Sequence, residues 1–499
     1  MTNAQATEHP TEPDPRRWFA LAIIAIAQLM IVLDATIVNI ALPSAQRSLH
    51  ISTANRQWVI TAYTLAFGGL LLLGGRIADY VGRKRILIVS LLGFAGASAL
   101  GGVAQNGTML FSARALQGAF AALMAPASLS LISVTFTEIK ERATAFGVYG
   151  AIAGGGAAIG LILGGVLTEF ASWRWCLLVN IPISIIAAFG GWRIVRESKA
   201  VGNTSYDVPG AVSASLGLVA LVYGFTKASE SGWSASVTVA CLLAAVALIV
   251  AFVVIERRSP APLLPMRILL DRNRGGSFLA SFLAGMAMFG MFLFLTYYLQ
   301  ATLHYSALKA GFAFLPFSGG IILAAGMASK VLPRVGARLP MVGGFIAATI
   351  GLLWLTRIGV HTSYVSHVLP SEVVMSIGFG FVFVPMSSTA LIGVGQHDAG
   401  VASATLNATQ QVGGSLGTAL LNTIAATATA GYLTAHHHAK SVVPAAQVHG
   451  YTVGFVVSSG LLALAAVVVA TIVTAGKGAA LPAPGMEPGT TSEPVFALD

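Results

Sequence analysis

Uncharged apolar runs long enough to cross a lipid bilayer recur along the whole chain, and they constrain its fold more than any other feature. The first, WFALAIIAIAQLMIVL, carries no charge between Arg17 and Asp34. A bilayer core of ~30 Å takes ~20 apolar residues per helix. Fourteen runs can be placed: 18–42, 57–75, 86–104, 109–132, 143–168, 175–194, 208–226, 236–255, 277–299, 309–329, 339–358, 366–391, 401–428 and 451–474. Charged residues make up 9% of the chain. That is too few to cover a water-facing surface of this size, since soluble domains carry ~25%. The expected fold is an all-α membrane protein with fourteen transmembrane helices. The first run exceeds the ~7–15 apolar residues of a secretory signal, so it is read as a retained helix.

The net charge is +10. With the N-terminus placed inside, twenty Lys and Arg residues fall in inner loops and tails and seven in outer loops, while Arg114 lies within a run. That asymmetry predicts a multi-pass protein of the plasma (inner) membrane with both termini cytoplasmic. The basic residues are spread over many loops with no single patch, which argues against nucleic acid as a partner. Cys176 and Cys241 both sit in apolar runs, so no disulfide framework or CxxC pair is expected. There is no GxxxxGK[ST] phosphate loop, no zinc spacing and no nucleophile–base set that stands out. The expectation is therefore neither an enzyme nor a user of metal or cofactor. The three histidines of AHHHAK, 435–440, are read as solvated.

A partial internal repeat organises the runs. GRIADYVGRKRI (75–86) is echoed at SKVLPRVGARLP (329–340): Arg76 matches Lys330, Val81–Gly82 match Val335–Gly336 and Lys84 matches Arg338, all offset by 254 residues. Both copies fall between the second and third helices of a six-helix group, which suggests two parallel halves around a central site. The predicted organisation is a polar tail at 1–17, a six-helix bundle at 18–194 and a second at 277–474. Two extra helices and a cytoplasmic connector occupy 195–276, and a disordered tail 475–499. Asp79 has Pro333 as its counterpart, so a gate built on Asp79 would be one-sided.

These residues resemble the major facilitator superfamily, and within it the fourteen-spanner drug:proton antiporters, over nearly the whole chain. GGRIADYVGRKR resembles the signature loop, with Asp79, Gly82, Arg83 and Lys84 in place. LDATIVNIALP (33–43) is similar to the antiporters' first-helix motif, RALQGAFAA (114–122) to the fourth-helix motif, SWRWCLLVNIPI (172–183) to the start of span six and YDVPG (206–210) to that of span seven. The fifth-helix antiporter motif is matched through its glycines, but Leu161 stands where its proline is expected. Gly156, Gly160 and Gly164 keep an i, i+4, i+8 seam for close helix packing, and Gly165 follows it. The resemblance implies export in exchange for protons, with no cofactor. By resemblance, too, Asp79 would meet the start of span thirteen near Gly400–Ala402, and helices one and four would line the central cavity.

Asp34 is the residue that most needs a reason, because an ionisable group inside a membrane is costly and marks a functional site. At 1.5 Å per residue, Asp34 and Arg114 reach similar depths from opposite ends. A carboxyl subject to both burial and a nearby Arg can exchange a proton near neutral pH, or pair with a cationic substrate instead. The plainer alternative is an ion pair that only fixes packing. Asn407, Gln410, Gln411 and Glu372 are candidate substrate-binding residues, and Glu372 is also a candidate second proton or cation site. For Asn407, Gln410 and Gln411, hydrogen bonding between helices is an alternative, and for Glu372 an interfacial position. Aromatic and Met-rich stretches at 285–300, 312–317 and 379–385 are candidate pocket walls, although for most of their residues a lipid-facing or helix-packing position is the plainer reading. The partners expected are a lipophilic, cationic small molecule, protons and membrane lipid, with a monomer sufficient. The alternatives are an exporter of one specific solute, such as an antibiotic or lipid-like metabolite, and a non-transport membrane receptor, for which the outer loops are short.

Overall fold

The computed structural model describes residues 15–136, 138–199, 207–259, 262–264, 266–394, 399–437 and 439–475. The disordered tail expected at 475–499 and the polar tail at 1–17 fall almost wholly outside them. Among the described residues there is no strand. The long helices are α1 Arg17–Ser48, α2 Trp58–Val81, α3 Arg83–Gly102, α4 Gly107–Thr135 and α5 Ile139–Phe170. Next come α6 Trp175–Ile194, α7 Val208–Ser231, α8 Ser236–Arg258 and α9 Arg272–Tyr297. The last five are α10 Ala307–Val335, α11 Arg338–Leu355, α12 Leu369–Ala390, α13 Ala399–Ala435 and α14 Val443–Ile472. α10 breaks at Phe314, just before Pro316, and a π-helical turn, Tyr364–Val368, leads into α12.

Local chemistry sets several starts. Asn106, Asp207, Asp271 and Ser306 accept the Met109, Gly210, Arg274 and Lys309 amides with their side chains at the heads of α4, α7, α9 and α10. Such caps satisfy donors that the first turn leaves unpaired. Twelve helices are long and apolar enough to cross a membrane among the described residues; α5 and α13 are not among the twelve. α5 runs unbroken past Leu161, where a proline would have removed a backbone hydrogen bond.

Glycine decides how closely the helices meet. On α1, a Cβ at Gly160 would lie 2.0 Å from Thr36 Oγ1, and one at Gly164 2.9 Å from the Ile37 carbonyl oxygen. Gly156 faces Leu29 and Val32 on the same helix. α9 and α13 meet in the same manner: a Cβ at Gly413 would lie 2.1 Å from the Phe282 carbonyl oxygen, and one at Gly417 2.3 Å from Met286 Cα. In lipid there is no hydrophobic drive between helices, so this closeness and the dispersion it allows replace it. α1–α6 pack with one another, as do α9–α14, and α7, paired with α8, touches both groups through α2 and α13.

The internal repeat has a structural counterpart. Gly82 and Gly336 adopt φ of 124° and 77°, a region that favours glycine, and each turns the chain sharply between two helices. Beyond each glycine the next helix begins against the chain that follows the sixth helix of its group. Arg83 N donates to the Ser198 carbonyl (2.9 Å), and Ala337 N to the Ala475 carbonyl (3.2 Å). At the face opposite these loops, hydrogen bonds join described residues of the two groups. Arg56 Nε donates to Asn422 Oδ1 (3.1 Å), Asn422 Nδ2 to Gln57 Oε1 (2.7 Å) and Gln300 Nε2 to the Ile40 carbonyl (2.9 Å). Tyr297 bonds Gln46 there, and the Leu308 amide donates to Glu169 Oε2 (2.9 Å).

Gly164→Ala is expected to cost about 1–3 kcal/mol by overpacking and to lower the unfolding midpoint in detergent. Gly319→Ala, whose added carbon would meet nothing within 4 Å, leaves the midpoint in place or raises it. Equal midpoints for the two variants would show that the α1–α5 seam is not close-packed.

Candidate functional site

Asp34 and Arg114 meet. Asp34 is 0% exposed and Arg114 2%, and Arg114 Nη1 lies 2.5 Å from Asp34 Oδ2. Asp34 Oδ1 accepts from Gln117 Nε2 (2.9 Å) and from Asn180 Nδ2 (2.9 Å). Arg114 Nε donates to the Val59 carbonyl (2.9 Å), Arg114 Nη1 donates to Gln117 Oε1 (2.9 Å), and the guanidinium lies 4.4 Å from the centre of the Tyr63 ring. Gln117 Nε2 also reaches Ser98 Oγ (2.8 Å). The cluster thus draws on α1, α2, α3, α4 and α6, and it lies inside the packing of the first six helices.

The arrangement has a reason in the sequence. Arg114 and Gln117 are three apart on α4, so they share one face. Asn180 is a lone amide in CLLVNIPI, on the helix that follows the Trp173–Arg174 corner. Charge-assisted hydrogen bonds of this kind are the strong ones, and a low-dielectric surround makes them stronger. Two atoms of the cluster lack partners: the Tyr63 hydroxyl and Asn180 Oδ1. An apolar crevice lined by Leu42, Val59, Leu110, Trp173 and Cys176 adjoins Arg114.

In the signature loop, Asp79 Oδ1 accepts from Arg83 Nε (2.9 Å), one helical turn along and across the Gly82 break. This pair lies within the first group of helices, and part of the expected partner, the chain up to Gly400 at the start of α13, lies outside the residues whose side chains are described. Glu197, which the motif did not single out, accepts from the Lys84 and Arg85 amides (3.1 and 3.2 Å) at the head of α3. A Cβ at Gly82 would lie 2.7 Å from that carboxylate. Lys84 Nζ donates to the Trp192 carbonyl (2.8 Å). The connector is held from both sides: the Leu263 and Leu264 amides donate to Glu256, and Arg76 to the Pro262 carbonyl.

The remaining candidates do not converge on one spot. Asn407 is exposed and bonds the Ser403 carbonyl (3.1 Å). Gln410 is half-buried where α13 crosses α9 at Gly285. Gln411 lies against Gly68 on α2 and its Oε1 is buried without a partner. Glu372 is buried beside Tyr364, at the face away from the signature loop. Gly165 faces α10 at Ala307 and Leu308, whereas Gly156, Gly160 and Gly164 face α1. Most of the aromatic stretches pack on one another: Phe317 meets Phe292 and Phe379 at ring distances of 5.4 and 6.1 Å, and Phe379 stacks on Phe383 at 5.5 Å. Phe289, Phe292 and Phe383 keep part of their surface open.

Arg114→Gln is expected to cost about 3–5 kcal/mol of stability by leaving the Asp34 charge buried and unpaired. Adding Asp34→Asn to the same chain is expected to recover most of that loss. Thermal unfolding of the two singles and the double tests this; additive losses would mean the pair is not coupled.

The sequence profile of the Major Facilitator Superfamily matches residues 24–418. A puromycin resistance protein from Streptomyces alboniger is 50% identical over 91% of both chains. A cephamycin export protein from Amycolatopsis lactamdurans is 38% identical, covering 83% of this chain and 86% of its own. Among solved structures, a bacterial homologue of the human lysosomal transporter Spinster, inward-facing and unoccupied, aligns with a TM-score of 0.66 at 15% identity. That alignment covers 91% of this chain and 96% of the other. The helical architecture and the sequence agree, and the chain belongs to the Major Facilitator Superfamily.

Proposed function

We propose that this protein is a secondary transporter of the plasma membrane that exports lipophilic, cationic small molecules in exchange for protons. The observation that carries the reading is the Asp34 carboxylate, fully buried yet held by three side chains, one of them a guanidinium. An ionisable group kept at such depth is costly and marks a functional site. A proton arriving on Asp34 would compete with its hydrogen-bond donors, so the cluster has two arrangements. Only an element with two states that both ligands bias can couple proton and cargo. The relatives named for puromycin resistance and cephamycin export support the direction.

The topology follows. α5 and α13 also cross the membrane, making fourteen spans with both termini cytoplasmic. In support, the Phe136 ring at the end of α4 lies 5.1 Å from that of Trp18 at the start of α1, whereas Arg174, just before α6, donates to the Ala104 carbonyl at the other face. α5 therefore has to connect opposite faces. α13 likewise runs from Ala402, packed with Phe278, to Asn422, bonded to Arg56. The six-helix groups at 18–194 and 277–474 would rock about a central site. The hydrogen bonds between them at the outer face support an inward-facing state. In that state Asp79 is free to pair with Arg83, and the α13 latch would form on the opposite swing. Arg83 and Lys84 would then anchor at the inner lipid surface, and Asn407, Gln410 and Gln411 would offer polar contacts to cargo.

A second reading, transport of one antibiotic only, is favoured by the names of the two relatives above, which specify puromycin and cephamycin. Growth of a sensitive host with and without the gene, over a panel of cationic and neutral drugs, separates the two readings. Asp34→Asn is expected to abolish drug-driven proton flux in proteoliposomes, a loss of at least about tenfold, while the protein stays folded and inserted. Undiminished proton-coupled efflux in that variant would remove Asp34 from the mechanism.

A further inference from the structure

A second buried carboxyl lies outside the Asp34 cluster. Glu372, in the first turn of α12, is 0% exposed. Its Oε1 has no hydrogen-bond partner and its Oε2 lies 3.1 Å from the Tyr364 hydroxyl oxygen. No ion pair to it forms among the described residues. Next to Tyr364 comes Tyr305, whose ring lies 6.4 Å from that of Tyr364 and has Lys309 of α10 over it at 3.8 Å. His367 on the π-helical turn bonds Ser366, and Arg357 and His361 in the preceding loop are exposed. Tyr298, beyond the end of α9, donates to the Gly359 carbonyl. The charges of α9, α10 and α11 at Arg272, Arg274, Lys330, Arg334 and Arg338 lie at the signature-loop face, and α13 carries none.

The hydroxyl of Tyr364 also lies 2.7 Å from the Ala313 carbonyl oxygen. A hydroxyl has one proton to donate. With that proton on Ala313, the shorter contact, Glu372 must donate to the Tyr364 oxygen, which requires a protonated carboxyl. An ionised Glu372 would instead draw the Tyr364 proton to itself, since a buried charge without a counter-ion takes any donor in reach. Ala313 would then lose its partner.

Ala313 ends the first segment of α10, and that segment forms the seam with the other six-helix group. A Cβ at Gly311 would lie 2.5 Å from the Leu161 carbonyl oxygen, and Glu169 accepts from the Leu308 amide at 2.9 Å. The Glu372–Tyr364–Ala313 chain therefore ties a proton to the segment that closes the outer face. We infer that Glu372 is a second proton-binding site, distinct from Asp34, which takes its proton from the outer solution and holds the outer seam closed while it is occupied. The orientation rests on the export reading. The sign suits exchange: a proton bound from outside favours the inward-facing state, and its loss frees the seam to open.

The test is made on the full-length protein in lipid nanodiscs, with no drug present. Cys176→Ala and Cys241→Ala remove the native thiols, and spin labels go at Ala171→Cys and Ala301→Cys, both exposed and on opposite sides of the seam. An Asp34→Asn background removes that carboxyl's contribution. Pulsed EPR distances are then read from about pH 5 to about pH 9. The longer-distance population is expected to grow with pH, by at most about tenfold per unit for a single proton. Glu372→Gln is expected to keep the short distance throughout and to lose the pH dependence. Tyr364→Phe, which cuts the link to Ala313, is expected to show the longer distance already at acid pH. A wild-type pH profile in either variant, or no pH dependence in the parent, overturns the proposal. Neither result touches the efflux measurements, and a failure of proton-coupled efflux leaves the seam measurement standing.

Discussion

Side chains on five of the first six helices are arranged around one cost, that of holding a carboxylate out of water. Asp34 has no solvent contact, so its charge must be met by protein. Arg114 meets it, but a guanidinium brings five donors of its own, and these need acceptors. The Val59 carbonyl and Gln117 Oε1 take two of them, and Tyr63 offers its ring face. Gln117 and Asn180 then fill the remaining acceptor capacity of Asp34 Oδ1. The ion pair thereby dictates residues on five helices. Replacing such a cluster with apolar side chains often stabilises a protein, so the persistence of this one is better explained by what it does than by the stability it confers.

That cluster also explains why α1, α2 and α4 must approach so closely. Arg114 can reach the backbone at Val59 only if α4 lies nearly against α2. Gly118, one turn on, permits this: a Cβ there would sit 2.2 Å from the Tyr63 carbonyl oxygen. Gly74 repeats the contact against the Ala122 carbonyl at 2.1 Å. Small residues and buried polar groups thus work together, the first setting the distance at which the second can bond. The equivalent crossing in the other half, α10 on α12, is also set by glycine, since a Cβ at Gly380 would sit 2.8 Å from the Ile321 carbonyl oxygen, but the buried carboxyl there, Glu372, has no ion pair among the described residues. The two halves share a packing scheme and divide the chemistry unequally.

Much of this was legible from residue order because the lipid solvent penalises exceptions so heavily. Asp34 and Arg114 stand out in apolar runs, and counting 1.5 Å per residue sets them at one depth. Gly82 and Gly336 could be paired by spacing alone, and both turn out to need positive φ. What could not be read was any partner chosen by folding across long separations. Glu197 is one charge in a basic loop until the α3 amides are seen to converge on it. The aromatic stretches stayed open for a related reason: periodicity marks a face as apolar without saying whether another helix or a ligand will cover it. Phe317 and Phe379 are covered by each other. Asp79 carried a motif-based partner, but its nearest cation, Arg83, is one turn away and needs no movement of the halves.

The two faces of the molecule use their carboxylates differently. A side chain that bonds backbone amides at a helix start costs little to move between partners, because either set of donors satisfies it. At the face opposite the signature loop, Glu169 on the end of α5 takes the Leu308 amide of the other group, alongside the Gly165 and Gly311 contacts that bring α5 and α10 together. At the signature-loop face, Asp79 stays within its own group on Arg83, and Glu197 caps α3 locally. Bonds between groups at one face and within a group at the other are what a rocking pair of bundles requires in either of its end states. The asymmetry lies in which carboxylate is spent on the partner group: Glu169 is, and Asp79 and Glu197 are not.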